Sequence, residues 1–581
     1  MKFIILENKN QGLEYLKNID NFKGVTPITF NFETEELLSE HNINFKIGES
    51  YGNHSVYKNT HKDSIRLTKE ICKKININYR GIDLFQLFYA DLILFFIDSL
   101  THLKILKQIK KEEKIKEMIF FKNTASDFNN VIHVRIGMSL FEENVKIINY
   151  KDVNKKKKEK FLKFIGYFQN IISKIKLSLV KEEENKIFFC GNKNVFGNVI
   201  KELNKNKKNK IFRCSNSLQK SFFINKKYVP FFQLLGLKTK HKKKLIKDIK
   251  NFQKETISLR FLDDLSLEKE LIPILKEWIF YYLEVKFLEI SKIINQMIKL
   301  IIKKKINLII LYADFNNFEK TFAQIGNLFN IPSIVVQHGI IGNETGFMPK
   351  SADYLLAFGE RSKKRLIDFG YPKKNIILTG SPQFDKYKDL NIKIKTNKQK
   401  KIVFIMGDSN NPEREISKEK WKIVYEMMFK ALKKFPEYEL IIKCKGEGDL
   451  YTLPEFIAKK ENFQNMSNII NINPIDLISD AEMVIITNST MIFDALLLNK
   501  PVISINFKEF EKFFCYKDLK SVQTVHNQKE LEEAIIKNKI QTKEDLLEIK
   551  KTLKEELSNL NGKASKRVVD VINNILYNHE N

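Results

Sequence analysis

Four short runs in the last third of the chain constrain its fold more than any other feature: KIVFIMG (401–407), YELIIKCKG (438–446), MVIIT (483–487) and PVISINF (501–507). A strand with one wet face alternates apolar and polar residues. These runs do not alternate, so they predict strands covered on both faces, as in a parallel sheet flanked by helices. Helical patterns fall between them, at about 416–434, 453–460 and 489–498, with PIDLISDA as a short helix and NIININ (468–473) as a further strand. The same rhythm appears upstream in INLIILYAD (306–314), a helix over 317–329, IPSIVVQHG (331–339), DYLLAFG (353–359), the helical RSKKRLIDFG, and NIILTG (375–380). Two doubly wound α/β units are expected. Before them, KFIIL at the N-terminus, EMIFF (117–121) and NKIFFCG (185–191) read as strands among helical stretches. The expected organisation is an N-terminal α/β domain enlarged by helical insertions (1–385), a Lys-rich linker (386–400), a C-terminal Rossmann-like domain (401–540) and a C-terminal helix (541–581).

With 581 residues the chain is too long for one core. Its five cysteines form no CxxC pair, which argues against a disulfide framework or a cysteine zinc site and suits a reducing cytoplasm. The net charge is +30, from 100 Lys+Arg against 70 Asp+Glu, but Arg stands at only nine positions. Arginine is the side chain that forks onto phosphates and base edges, so no nucleic-acid partner is expected. The lysines, including the runs at 155–160 and 238–244, serve solvated faces or an anionic membrane surface. The apolar stretch 82–100 carries three Asp and reads as a buried helix, not a membrane span. The stretch 277–305 reads as a long amphipathic helix, and MKFIIL as a first strand, not a signal peptide. The expected location is cytoplasmic, or peripheral on the inner face of the plasma membrane.

Open parallel sheets bind ligands beyond the carboxyl ends of their strands. Gly407, Asp408 and Ser409 stand there after the first C-terminal run, Lys443 at the end of the second, and Thr487, Asn488, Ser489 and Thr490 after MVII. Small hydroxyl residues opening a helix leave backbone N–H groups for a phosphate, or act as plain caps. Asp494, one turn further on, shares the face of Thr490 and could accept both hydroxyls of a ribose, or face solvent. His338 ends a buried strand before Gly339 and suits a general base or a donor to phosphate, with a structural tie as the plain alternative. Gln337, Gly339 and Ser381 complete the candidate acceptor side. The remaining histidines show no metal-ligand spacing, and no GxSxG, P-loop or complete GxGxxG is present, so no metal and no bound cofactor are expected.

IPSIVVQHGIIG, ADYLLAFGERSKKRLIDFGYPKKNIILTGSPQFD and AEMVIITNSTMIFDALLLNKPVISI together resemble the two-Rossmann GT-B glycosyltransferases of bacterial surface polysaccharide synthesis. They are similar in particular to the CDP-glycerol glycerophosphotransferases, through His338-Gly339, the segment Gly380 to Asp385, and Thr487 to Thr490 with Lys500-Pro501. The last motif also resembles the lipid-linked N-acetylglucosaminyltransferase of peptidoglycan synthesis, which places an acid on the ribose where Asp494 stands. Gln383 replaces the usual Arg of the glycerophosphotransferases, and Lys443 and Lys445 stand near the place of their second histidine. The resemblance therefore implies a GT-B-like fold whose domains face a cleft. It implies a glycosyltransferase that moves a sugar from a CMP-, CDP- or UDP-linked donor to a glycan or lipid-linked acceptor of capsule, lipopolysaccharide or wall polymer. A CDP-alditol glycerophosphotransferase, a UDP-sugar 2-epimerase and a non-catalytic polysaccharide-assembly protein are the alternatives.

Overall fold

The computed structural model describes residues 1–52, 54–75, 77–123, 132–150, 185–191, 193–214, 265–313, 317–342, 346–388, 400–406, 418–444, 449–469, 472–487, 489–507 and 519–580, with isolated positions 243, 247, 262, 315 and 344. The Lys-rich run 155–160, most of 238–244 and linker positions 389–399 lie outside the described residues.

Among the described residues, three parallel sheets carry the fold. The first is built from β1 (Lys2–Leu6), β2 (Val25–Thr29) and β3 (Lys46–Ile47), and, after a small hairpin of β4 (Asn78–Tyr79) and β5 (Ile82–Asp83), from β6 (Glu117–Asn123) and β7 (Val145–Tyr150). The second contains β8 (Asn185–Cys190), β9 (Asn209–Cys214), β10 (Leu308–Leu311), β11 (Ser333–Val336), β12 (Tyr354–Ala357) and β13 (Ile376–Leu378). The third contains β14 (Lys400–Ile405), β15 (Tyr438–Lys443), β16 (Met466–Ile469), β17 (Met483–Ile486), β18 (Val502–Ile505) and β19 (Val522–Val525). The third runs β16-β15-β14-β17-β18-β19, the 3-2-1-4-5-6 order of a dinucleotide-type domain, with its switch point between β14 and β17. The second runs β9-β8-β10-β11-β12-β13, with its switch point between β8 and β10. The unalternating runs behave as expected: β10, β11, β17 and β18 are buried at every position.

The α/β class and the two doubly wound units of the cleft agree with the sequence. The N-terminal enlargement is corrected. Residues 2–150 do not merely decorate the second sheet with helices; they build a parallel sheet of their own, β3-β2-β1-β6-β7. β1 and β6 match the expected strands KFIIL and EMIFF, but the other three gave weak signals: β3 has two residues, β2 contains Pro27, and every residue of β7 is at least partly exposed. The expected C-terminal helix is also corrected, to two helices, Lys543–Leu557 and Ala564–Glu580, broken at Ser558 where φ is +59°.

The apolar stretch 82–100 forms a buried helix, Tyr89–Glu112, and 277–305 falls in one helical rod from Leu271 to Lys304, with a π turn at Tyr282–Lys286. These helices fill a continuous core between the first and second sheets. Among the described residues no helix is long and apolar enough to cross a membrane. The first unit also reaches the third. Phe32 lies in the core of the third sheet, the Lys422 ammonium sits 4.7 Å from its ring centroid, and Lys422 pairs with Glu35 at 2.7 Å. Both charged side chains are nearly buried, at 13% and 7% exposure. The last helix, Ala564–Glu580, crosses back onto the second sheet through Val568, Ile572 and Leu576.

Removing one member of a buried ion pair leaves the other unpaired away from water, at a cost of about 3–5 kcal/mol. Lys422→Met should therefore lower unfolding stability by an amount near that range. Lys422→Met with Glu35→Leu should recover most of the loss, as read by denaturant titration of the full chain.

Candidate functional site

The carboxyl edges of the second and third sheets meet at two turns. After β11 the chain passes through Gln337, His338 and Gly339. Gln337 is buried. Its amide donates to the Gly339 carbonyl (2.8 Å) and the Ser362 hydroxyl (3.1 Å), and its Oε1 accepts from the Phe358 amide (2.8 Å). It thus shapes the loop from within and does not face a ligand. His338 is partly buried. Its Nδ1 lies 2.8 Å from the carbonyl oxygen of Tyr312, and the two rings stack with centroids 3.8 Å apart. A carbonyl only accepts, so Nδ1 carries the hydrogen and the neutral imidazole has its lone pair on Nε2. Tyr312 itself directly follows β10, beside the switch point.

On the facing sheet, Thr487 is buried just beyond β17. The Thr490 hydroxyl accepts from the Ile340 amide at 3.2 Å and lies 3.3 Å from where a Cβ on Gly339 would stand. The structure therefore brings His338, Gly339 and Thr490 together. One expectation is corrected. The amides of Met491, Ile492 and Phe493 are not open for a phosphate: they bond to the Ser489 hydroxyl (3.3 Å) and to the carbonyls of Ser489 (3.2 Å) and Thr490 (3.1 Å). The helix that follows, Ile492–Leu497, has six residues, too few for a strong dipole.

Lys443 ends β15 and donates to the Cys444 carbonyl at 2.7 Å. Asp494 is 7% exposed and accepts a hydrogen bond from the Tyr387 hydroxyl. Burial raises its carboxyl pKa, an effect the Tyr387 bond opposes. Gly407, Asp408, Ser409 and Asn488 lie outside the described residues. Ser381 is buried on a cavity of about 80 Å³ at the crossing between units, lined also by Phe384, Tyr387, Leu497 and Leu557, and not beside His338.

Sequence reasoning missed the contacts that tie the closing helices to the sheets, although the segment ending at Asp385 stood out in the sequence. Asp385 caps the last helix, accepting from the amides of Ala564 (2.8 Å) and Ser565 (2.7 Å). Arg361 pairs with Glu556 at 3.2 Å. Gly359 admits the helix Lys543–Leu557, since a Cβ there would stand 2.4 Å from the Glu555 carbonyl oxygen. Tyr312 could have been found by the strand-end rule that picked out His338. His102 and His133 carry no spacing signal, yet both approach Glu7, at 3.7 and 2.6 Å, at the end of β1. Among the described residues no group of three His, Cys, Asp or Glu side chains could hold a metal.

A sequence profile of the UDP-N-acetylglucosamine 2-epimerase family matches residues 289–573. No curated protein matches the chain by sequence. Among solved structures, the chain is similar to the UDP-GlcNAc 2-epimerase of Neisseria meningitidis bound to UDP-GlcNAc. The identity is 15%, over 67% of this chain and 100% of that one, with a TM-score of 0.43. It is also similar to the UDP-GlcNAc 2-epimerase of Methanocaldococcus jannaschii, with 15% identity over 67% and 99% of the two chains and a TM-score of 0.43. A third is the lipopolysaccharide outer core galactosyltransferase WaaB, with 12% identity over 67% and 99% and a TM-score of 0.40.

Glu319 lies in the first turn of the helix Asn317–Leu328 that follows β10, and burial pushes its carboxyl from the ordinary 4.5 up to about 8. Between those values the folded chain holds a proton that the unfolded chain releases, so stability falls as pH rises and levels off above the higher value. Glu319→Gln should match the parent near pH 4 and exceed it by a few kcal/mol near pH 9, because each tenfold difference in proton affinity between the two states is worth about 1.4 kcal/mol. Unfolding curves at the two pH values check this.

Proposed function

We propose that the chain is a nucleotide-sugar enzyme that holds the nucleotide on the carboxyl edge of the third sheet. There it works on the bond between sugar and phosphate, facing His338, and passes the sugar to a glycan acceptor. The observation that carries this reading is the meeting of the His338–Ile340 turn with Thr490, which sets an oriented imidazole opposite the ligand edge of a dinucleotide-type sheet. Ser489, Thr490 and Lys443 would neighbour the diphosphate, and Asp494 the ribose. The lone pair on Nε2 suits proton removal from an acceptor hydroxyl; the same nitrogen, once protonated, can donate to the departing phosphate. The +30 charge would favour an anionic membrane surface carrying the acceptor.

A second reading is favoured by the family match over 289–573: inversion at C2 of a UDP-N-acetylhexosamine. It uses the same nucleotide edge but must remove and return the proton on C2. Incubation with UDP-GlcNAc in deuterated water separates the two. Deuterium at C2 and a new UDP-sugar without any acceptor would establish epimerisation. UDP release that depends on added glycan would establish transfer. Neither product from any nucleotide sugar, with no nucleotide bound, would overturn both. In either case His338→Ala should lower kcat about 10²- to 10⁴-fold with little change in nucleotide affinity. His338→Asn retaining full turnover from pH 6 to 9 would make the residue structural.

A further inference from the structure

The segment from Thr490 to Asp494 belongs to the third unit, yet both its ends are tied to the second. At one end the Thr490 hydroxyl takes the Ile340 amide of the His338 turn. At the other, the Asp494 carboxylate takes the hydroxyl of Tyr387. Tyr387 closes the 3₁₀ turn Pro382–Tyr387, the last described secondary structure before the chain crosses to β14. Its ring is anchored there by Phe384, which also meets Phe493 edge-on at 5.9 Å, so the hinge turn and the residue preceding Asp494 pack as one apolar block. One carboxylate oxygen of Asp494, Oδ1, accepts from the hinge, which fixes the plane of the carboxylate.

We infer that Tyr387 is a positioning residue for nucleotide recognition. From the second unit it orients the Asp494 carboxylate, so that the carboxylate is set for ribose hydroxyls only while the hinge holds its present arrangement. This rests on the nucleotide reading above. The physical ground is that a buried carboxylate favours its neutral form, and a neutral acid presents one acceptor fewer and an unwanted donor. The Tyr387 hydroxyl opposes that loss of charge, helped by Lys386; these are the ionisable groups that act on Asp494, and both come from the hinge.

The test is calorimetric titration of UDP into the full chain between pH 5 and 8, for the parent, Tyr387→Phe and Asp494→Asn. Asp494→Asn keeps an acceptor for Tyr387 but cannot titrate, so its profile carries only the titration of UDP itself and of other groups. Tyr387→Phe removes one oxygen and leaves the ring packing in place; its thermal unfolding verifies the fold. The expected result is UDP affinity weaker by about tenfold near neutrality, because the ribose would lose part of its hydrogen bonding to an oriented carboxylate. The acid limb of the affinity profile should also move to higher pH than in the parent. A Tyr387→Phe profile that overlays the parent, or that weakens equally at every pH without moving the limb, overturns the inference and leaves Tyr387 a packing residue. A parent chain that binds none of UDP, CDP, CMP or GDP overturns the nucleotide reading itself, and this inference with it.

Discussion

The Ile340 amide donates to the Thr490 hydroxyl across 3.2 Å, and that contact joins the carboxyl edges of two sheets. A parallel sheet presents all its strand carboxyl ends on one side, so two such sheets form a working cleft only when those sides are opposed. The opposition here is held from several directions. Asp385 grips the first amides of the last helix, Arg361 pairs with Glu556, and Tyr387 reaches Asp494. Arg361 and Tyr387 link the second unit to the third or to the helix Lys543–Leu557 packed on it, while Asp385 holds the last helix, which packs on the second sheet.

The first unit adds a further constraint. Its core merges with that of the second sheet, while Phe32 and Glu35 dock on the third. The third sheet is therefore held both at the cleft and by the brace of the first unit. Burying Glu35 and Lys422 together gives that brace direction more than strength, because the desolvation of two charges offsets much of their attraction. The aromatic contact of Phe32 supplies the apolar area that the ion pair does not.

His338 shows how a loop gains chemical definition from its surroundings. Gln337 fixes the loop from inside through three hydrogen bonds, and Tyr312 fixes the ring through a stack and a carbonyl. A histidine held this way has a fixed ring plane and, when neutral, carries its hydrogen on Nδ1. Ser381, by contrast, shares the strand-end logic of the sequence but lies on the hinge cavity, because β13 ends where the chain turns toward the third unit.

The α/β class, the strands of the last two sheets other than β9 and β19, and the place of His338 and Thr490 at strand ends were legible in the sequence. Continuous apolar runs and the small residues that end them are local properties, set by burial on both faces and by turn geometry. Of the sheet within residues 2–150 only β1 and β6 were legible, because short or half-exposed strands such as β3 and β7 lack that local mark and are defined only by their neighbours. Nor was the engagement of the Met491 to Phe493 amides, which depends on how one turn closes. The partners of Asp494 and Lys422 lie 107 and 387 residues away in the chain. Sequence alone determined which residues stand at strand ends; only the tertiary structure decided which of them meet, because hydrogen bonds and ion pairs act over a few ångströms of space whatever the separation along the chain.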